Sequence, residues 1–168
     1  MMTNLKISSI GVGVLLLTHF GLIAYFYPIL PESVPMHFGS NGKATSFSSK
    51  EGMILSHLAV IAVLLVIFGI VGALLRSGKA VYFNLPNREY WFAPERKAQS
   101  SNEVLSLLLW ILCSVLVLML LVFHETAESA MLETNKLGAA FYIGFAFFIL
   151  FDMFVLIYLM MRFSTIPK

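Results

Sequence analysis

Four stretches of this chain are apolar and long enough to cross a lipid bilayer as helices. They cover residues 7–27, 53–75, 104–123 and 137–161, and about 20 residues rising about 1.5 Å each match a hydrocarbon core of about 30 Å. Since an unpaired sheet edge cannot face lipid, each run is predicted to be a helix. The chain is 59% hydrophobic and only 12% charged, about half the charge of a soluble domain. The predicted fold class is all-α: one domain, residues 1–168, forming an integral membrane four-helix bundle.

The basic residues indicate an orientation, because lysine and arginine are retained on the cytoplasmic side. One side of the predicted bundle carries Lys6, Arg76, Lys79, Arg88, Arg96, Lys97, Arg162 and Lys168, and the other carries Lys43, Lys50 and Lys136. We therefore expect a multi-pass protein of the cytoplasmic (inner) membrane with both termini cytoplasmic. Loops 28–52 and 124–136 then face outward, and loop 76–103 faces inward. A net charge of +2 gives no reason to expect a nucleic-acid partner.

The outward loop 28–52 is polar and punctuated by turn formers. Three prolines between residues 28 and 35 must end the first helix. Asn41-Gly42 is a pair favoured by two-residue hairpin turns, and the flanking "MHF" and "ATSF" are predicted to be short strands. An isolated hairpin is marginal in water, so it should pack on the helix ends or on the second outward loop.

The run Leu30-Pro31-x-x-x-Pro35-x-His37-Phe38, followed by Gly42 and a new apolar helix, resembles a bacterial membrane domain of unknown function. That domain forms the N-terminal part of Sdp-type toxin-immunity and signalling proteins, and the resemblance covers residues 8–75. It implies a protein that binds or resists a secreted antimicrobial peptide, and in some members one that holds a repressor at the membrane. It implies no catalytic residues. The candidate ligand-binding residues are Pro31, Pro35, His37, Phe38, Asn41 and Gly42.

Asp152 is the one acidic residue inside a predicted membrane helix. An ionised carboxylate there is costly, so it should face the bundle and have a partner. Counting residues from the cytoplasmic helix ends places His19, Asp152 and Cys113 at similar depth. We therefore predict a polar pair, His19 with Asp152, which either satisfies buried polarity or relays protons. His57 lies near the outer end of the second helix and is interpreted as an interfacial residue.

The inward loop mixes basic residues with aromatic ones, among them Tyr82, Phe83, Tyr90, Trp91 and Phe92. Such a mixture suits the lipid headgroup layer, which makes an interfacial anchor one interpretation. The alternative is a docking face for a cytoplasmic partner, formed by Asn87, Arg88, Trp91, Glu95 and Arg96.

The sequence does not predict a metal site. His37, Glu32, His124, Glu125 and Glu128 share the outward side, and imidazole with carboxylates can bind Zn²⁺, but their spacing matches no metal motif. "HETAE", residues 124–128, lacks the second histidine of HExxH. We predict no cofactor and no enzymatic activity.

The function favoured by the sequence is a ligand- or peptide-binding immunity or sensing protein. The alternatives are a small oligomeric transporter or proton-coupled carrier using His19 and Asp152, and an accessory subunit of a membrane complex. The expected partners are the lipid bilayer, an extracytoplasmic peptide and a cytoplasmic or membrane protein. Small-residue pairs in the second and fourth helices leave a homo-oligomer open.

Overall fold

In the part of the chain that the structure describes, the fold consists of four long helices, one short helix and a β-hairpin. The computed structural model describes residues 2–77 and 84–167, and side chains from Asn4 onward. Its elements are α1 (Met2–Phe26), β1 (Ser33–Phe38), β2 (Ala44–Ser49), α2 (Lys50–Arg76), the short α3 (Arg88–Trp91), α4 (Lys97–Met131) and α5 (Ala139–Ser164). Four of the helices are long and apolar enough to cross a membrane, which confirms the predicted fold class.

The helices extend beyond the apolar runs that predicted them. β2 runs directly into α2, whose first turn is capped by Ser49: its Oγ accepts a hydrogen bond from the Gly52 backbone N–H at 3.1 Å. The largest difference is in α4, which has 35 residues and includes residues 124–131, predicted to be loop. These residues include good helix formers, and Ala127 and Ala130 are buried in the core beneath the hairpin.

Helix α4 is the centre of the bundle. It packs against α1, α2 and α5, whereas α5 packs chiefly against α4. The end that carries the hairpin is called the hairpin end below, and the opposite end, where α1 begins and α5 ends, is called the terminal end.

The hairpin forms as predicted, with a different turn. β1 and β2 pair antiparallel, from Ser33 opposite Ser49 to Phe38 opposite Ala44. The Gly39 N–H donates to the Lys43 carbonyl at 2.8 Å, which leaves three residues in the loop instead of two. Among the described residues near this turn only Gly42 has a positive φ, 72°, and a two-residue type I′ turn needs two such residues. The loop is therefore a tight turn followed by a left-handed glycine.

The hairpin packs both on the helix ends and on the loop between α4 and α5, the two places expected from sequence. Val34 of β1 is fully buried in a cluster with Phe26 and Phe123, on α1 and α4. On the other edge, the loop between α4 and α5 continues the sheet: the Ala44 N–H donates to the Asn135 carbonyl at 2.8 Å. The hairpin is thus held between the helix ends and this loop.

Candidate functional site

Two buried histidines form a hydrogen-bonded pair among α1, α2 and α4. His19 Nδ1 and His57 Nε2 are 3.0 Å apart, and His19 Nε2 is 3.1 Å from the Leu116 carbonyl oxygen of α4. Both histidine side chains are buried, and the ring of Phe123 packs against His57 at 4.9 Å between centroids. The pair therefore ties three helices together.

The contacts of the pair fix which nitrogens carry protons when both rings are neutral. A carbonyl oxygen only accepts, so His19 Nε2 must donate to Leu116. His19 Nδ1 is then an acceptor, and His57 Nε2 donates to it. His57 Nδ1 consequently carries no proton, and it has no hydrogen-bond partner among the described residues.

The partner of His57 was missed from sequence, although a simple count finds it. His19 lies seven residues before the end of α1 (26 − 19 = 7), and His57 lies seven residues after the start of α2 (57 − 50 = 7). At about 1.5 Å per residue both are about 10 Å below the hairpin end. Since α1 and α2 are antiparallel, equal counts place the two rings at one depth.

The predicted pairing of His19 with Asp152 is not the one that the structure shows. Asp152 Oδ1 instead accepts a hydrogen bond from Ser114 Oγ at 2.6 Å. Ser114 and Leu116 are two residues apart on α4, which is about 200° around a helix and about 3 Å along it. The two polar groups therefore meet α4 at nearly the same depth but on opposite sides, and α4 separates them. Cys113 contacts the Ser8 carbonyl of α1 instead (Sγ to O, 3.7 Å).

A cavity of about 160 Å³ lies between α2 and α4, directly beneath β1, and His57 is part of its wall. It is lined by Pro35, Met36, Met53, Ser56, His57, Val60, Met119, Val122, Phe123 and Thr126. The hairpin therefore roofs a cavity that reaches down to the histidine pair.

The six candidate ligand-binding residues of the hairpin region differ in how far they are buried. Pro35 is buried in the cavity roof, and Gly42 is buried against the Tyr142 hydroxyl of α5, which occupies the place of a Cβ at residue 42. Phe38 is half-buried. The remaining three, Pro31, His37 and Asn41, are exposed.

Two of the exposed hairpin residues make hydrogen bonds that shape the hairpin. His37 Nδ1 lies 2.7 Å from Ser46 Oγ on the opposite strand, and Asn41 Oδ1 accepts from the Lys43 N–H at 3.0 Å. His37 therefore fixes the strand pairing locally.

The outer edge of β2 is only partly covered. Asn135 pairs with its first residue, Ala44, and beyond that point residues 45–49 have no further strand beside them among the described residues. Phe47, in the middle of this edge, is 52% exposed. An uncovered edge is a place where an extended peptide can add as a strand.

At the terminal end, the residues predicted as a docking face mostly hold the chain's own helices. Trp91 is buried, and its Nε1–H donates to the Phe163 carbonyl at 2.8 Å. Asn87 Nδ2 donates to the carbonyls of Phe163 and Ser164 at 3.1 and 2.8 Å. These contacts satisfy carbonyls at the end of α5 that have no partner within the helix.

The other residues of the predicted face differ in their exposure. Arg96 Nε donates to the Tyr90 carbonyl at 2.8 Å, and its guanidinium lies 4.0 Å from the Tyr90 ring centroid. Arg88 is half-buried, and Glu95 is exposed. Tyr82, Phe83, Lys79 and Lys168, which supported the anchor and orientation predictions, lie outside the described residues.

An acidic cluster lies near the hairpin end of α4. The possible ligand atoms of His124, Glu125 and Glu128 lie within 4.8 Å of one another. Glu125 is buried, and its Oε2 accepts from the Gly138 N–H at 2.8 Å, which fixes the start of α5. The structure therefore brings together three of the five residues considered from sequence, and His37 and Glu32 are not part of this cluster.

Comparison with known proteins gives one match, to a family model. No curated protein and no solved structure matches this chain. Residues 14–62 match a family model described as "Domain of unknown function (DUF1648)". The matched segment contains the second half of α1, the whole hairpin and the first half of α2, including both histidines of the pair.

Proposed function

We propose that this chain is a peptide-binding membrane protein of the immunity or sensing kind, without enzymatic activity. The observation that carries the proposal is the uncovered edge of β2, which presents Phe47 on a hairpin fixed to the bundle. The resemblance of the Leu30–Phe38 run to Sdp-type proteins supports the same class of ligand.

The binding mode that fits this edge is strand addition. An extended peptide would continue the line of backbone pairing that Asn135 begins at Ala44. Backbone hydrogen bonds supply affinity in this mode, and contacts with alternate side chains supply specificity. Phe47 would be the principal apolar contact, since burying a phenylalanine contributes about 1.5–3 kcal/mol.

The charge distribution supports the orientation that an extracytoplasmic peptide would need. Of the basic residues that the structure describes, Lys43, Lys50 and Lys136 lie at the hairpin end and Lys6, Arg76, Arg88, Arg96, Lys97 and Arg162 lie at the terminal end. We therefore place the hairpin outside and both termini in the cytoplasm of a bacterial inner membrane.

The test uses a synthetic Sdp-type toxin peptide as the probe. Susceptible bacteria producing the full chain should survive higher peptide concentrations than cells without it, and purified protein in nanodiscs should bind the labelled peptide. Phe47→Ser should weaken binding about tenfold or more and reduce survival in parallel.

Ile29→Ser is the matched control, because Ile29 is 50% exposed at the same end of the bundle but lies outside the hairpin. It should leave binding and survival unchanged. The proposal fails if wild-type protein neither binds the peptide nor protects the cells, or if both variants behave alike.

A further inference from the structure

The cavity beneath β1 has an unusual wall for its size. Three of its ten lining residues are methionines, Met36, Met53 and Met119, and the whole chain has nine. They come from three different elements, β1, α2 and α4, and His57 joins them from α2. Met53 and His57 are four residues apart, so they share one face of α2.

The donor atoms of this wall are soft and uncharged. Thioether and neutral imidazole ligands favour Cu(I) among the biological metals, whereas Mg²⁺, Ca²⁺ and Mn²⁺ prefer carboxylate, carbonyl and water oxygens. Among the residues that the structure describes, no carboxylate or cysteine lines the cavity. The electrostatic cost of moving an ion out of water grows with the square of its charge, so a neutral ligand set favours a monovalent ion over a divalent one.

The histidine pair prepares one ligand atom. When both rings are neutral, His57 Nε2–H donates a hydrogen bond to His19 Nδ1, and His19 Nε2–H donates one to the Leu116 carbonyl. His57 Nδ1 therefore keeps a free lone pair on a ring that is held in place. Metal-binding histidines commonly have this arrangement, with the opposite ring nitrogen donating to a fixed acceptor.

From these observations we infer that the cavity binds one Cu(I) ion through the thioethers of Met36, Met53 and Met119 and Nδ1 of His57. Because Met36 is on β1, the ion would join the hairpin to α2 and α4. Binding should therefore stabilise the packing of the hairpin on the bundle.

The experiment is a competitive titration of the purified full chain, in detergent and under reducing, anaerobic conditions. Cu(I) is the probe, and bathocuproine disulfonate, whose Cu(I) complex absorbs visible light, is the competitor. All proteins carry Cys113→Ala, so that the lone thiol contributes no binding. We expect one equivalent of Cu(I) to be withheld from the competitor, and an equal concentration of Zn²⁺ not to displace it.

Met53→Leu and Met119→Leu should each weaken Cu(I) binding at least tenfold, and leucine preserves their volume and apolar character. Met153→Leu is the matched control, because Met153 is 52% exposed on α5, away from the cavity. It should bind Cu(I) like the parent protein. X-ray absorption of the loaded parent protein should show sulfur and nitrogen neighbours of copper.

Methionines that serve only as packing would give a different result. The parent protein would then withhold no copper, or the cavity and control variants would bind it equally. Either outcome overturns the inference, as does an absorption spectrum without sulfur neighbours.

Discussion

The histidine pair allows a sharp test of how the helices are held together. His57→Phe leaves the His19 Nδ1 acceptor without its donor, and His19→Phe leaves the His57 Nε2–H donor without its acceptor. Phenylalanine is the suitable replacement because an aromatic ring at position 57 can still pack against Phe123. Each single variant thus removes the hydrogen bond while keeping most of the ring contacts.

The expected magnitude follows from the burial of the pair. A buried polar group left without a partner costs about 1–3 kcal/mol, and His19→Phe should cost more because it also removes the bond to Leu116. Replacing both histidines leaves neither group unpaired. The double variant should therefore lose less stability than the sum of the single losses. Couplings of this kind measured within membranes average about 0.6 kcal/mol and reach about 1.7 kcal/mol, and we expect a value in that range.

The assay is the free energy of unfolding in bicelles, measured by steric trapping or by titration with a denaturing detergent, for the parent protein and the three variants. Circular dichroism on each variant checks that the helices persist, so that the free energy reports helix association. Losses that add to within about 0.3 kcal/mol would refute the conclusion that the pair ties α1 and α2 together.

Two other substitutions test the ends of the bundle. Gly42→Ala should destabilise the protein by more than about 1–2 kcal/mol, the cost of a left-handed backbone for alanine, since its Cβ would also meet the Tyr142 hydroxyl. Gly69→Ala is its control in the same unfolding assay. Since a Cβ at residue 69 meets no atom within 4 Å, that change should be neutral or stabilising. Equal losses of stability at both positions would contradict the turn geometry. Trp91→Phe should lower the free energy of unfolding by about 0.5–1.5 kcal/mol, because the Phe163 carbonyl loses its indole donor. For the same reason it should speed hydrogen exchange at the end of α5. Unchanged exchange would show that this bond does not hold the helix end.

The sequence predicts the parts of this fold that depend on local chemistry. Apolar runs of bilayer length identify the four spanning helices, and the prolines with Asn41-Gly42 identify the hairpin. Helix ends were predicted less well. Hydropathy stops at Phe123, whereas α4 continues to Met131 because tertiary packing buries Ala127 and Ala130 under β1.

The hydrogen-bond partners of the polar side chains could not be predicted, because they depend on how the helices pack. Depth alone made His19 and Asp152 plausible partners, but which side of α4 each one meets is set by how the helices pack. The methionine-lined cavity has only one local signal, Met53 four residues before His57. Its other two thioethers come from distant parts of the chain, so no spacing motif reveals them. The intramolecular contact of Trp91 was not predicted for a similar reason, since the carbonyl that it meets belongs to residue 163.

The length of α4 has a mechanical consequence. Its 35 residues at about 1.5 Å each make a rod of about 52 Å, well beyond a hydrocarbon core of about 30 Å. One extremity of that rod supports Val34 of the hairpin, and the other holds the Trp91 carbonyl through Ser100 Oγ at 2.7 Å. Helix α4 therefore joins the hairpin to the Trp91 segment without a break, so a tilt or axial shift of α4 would move both of its ends together.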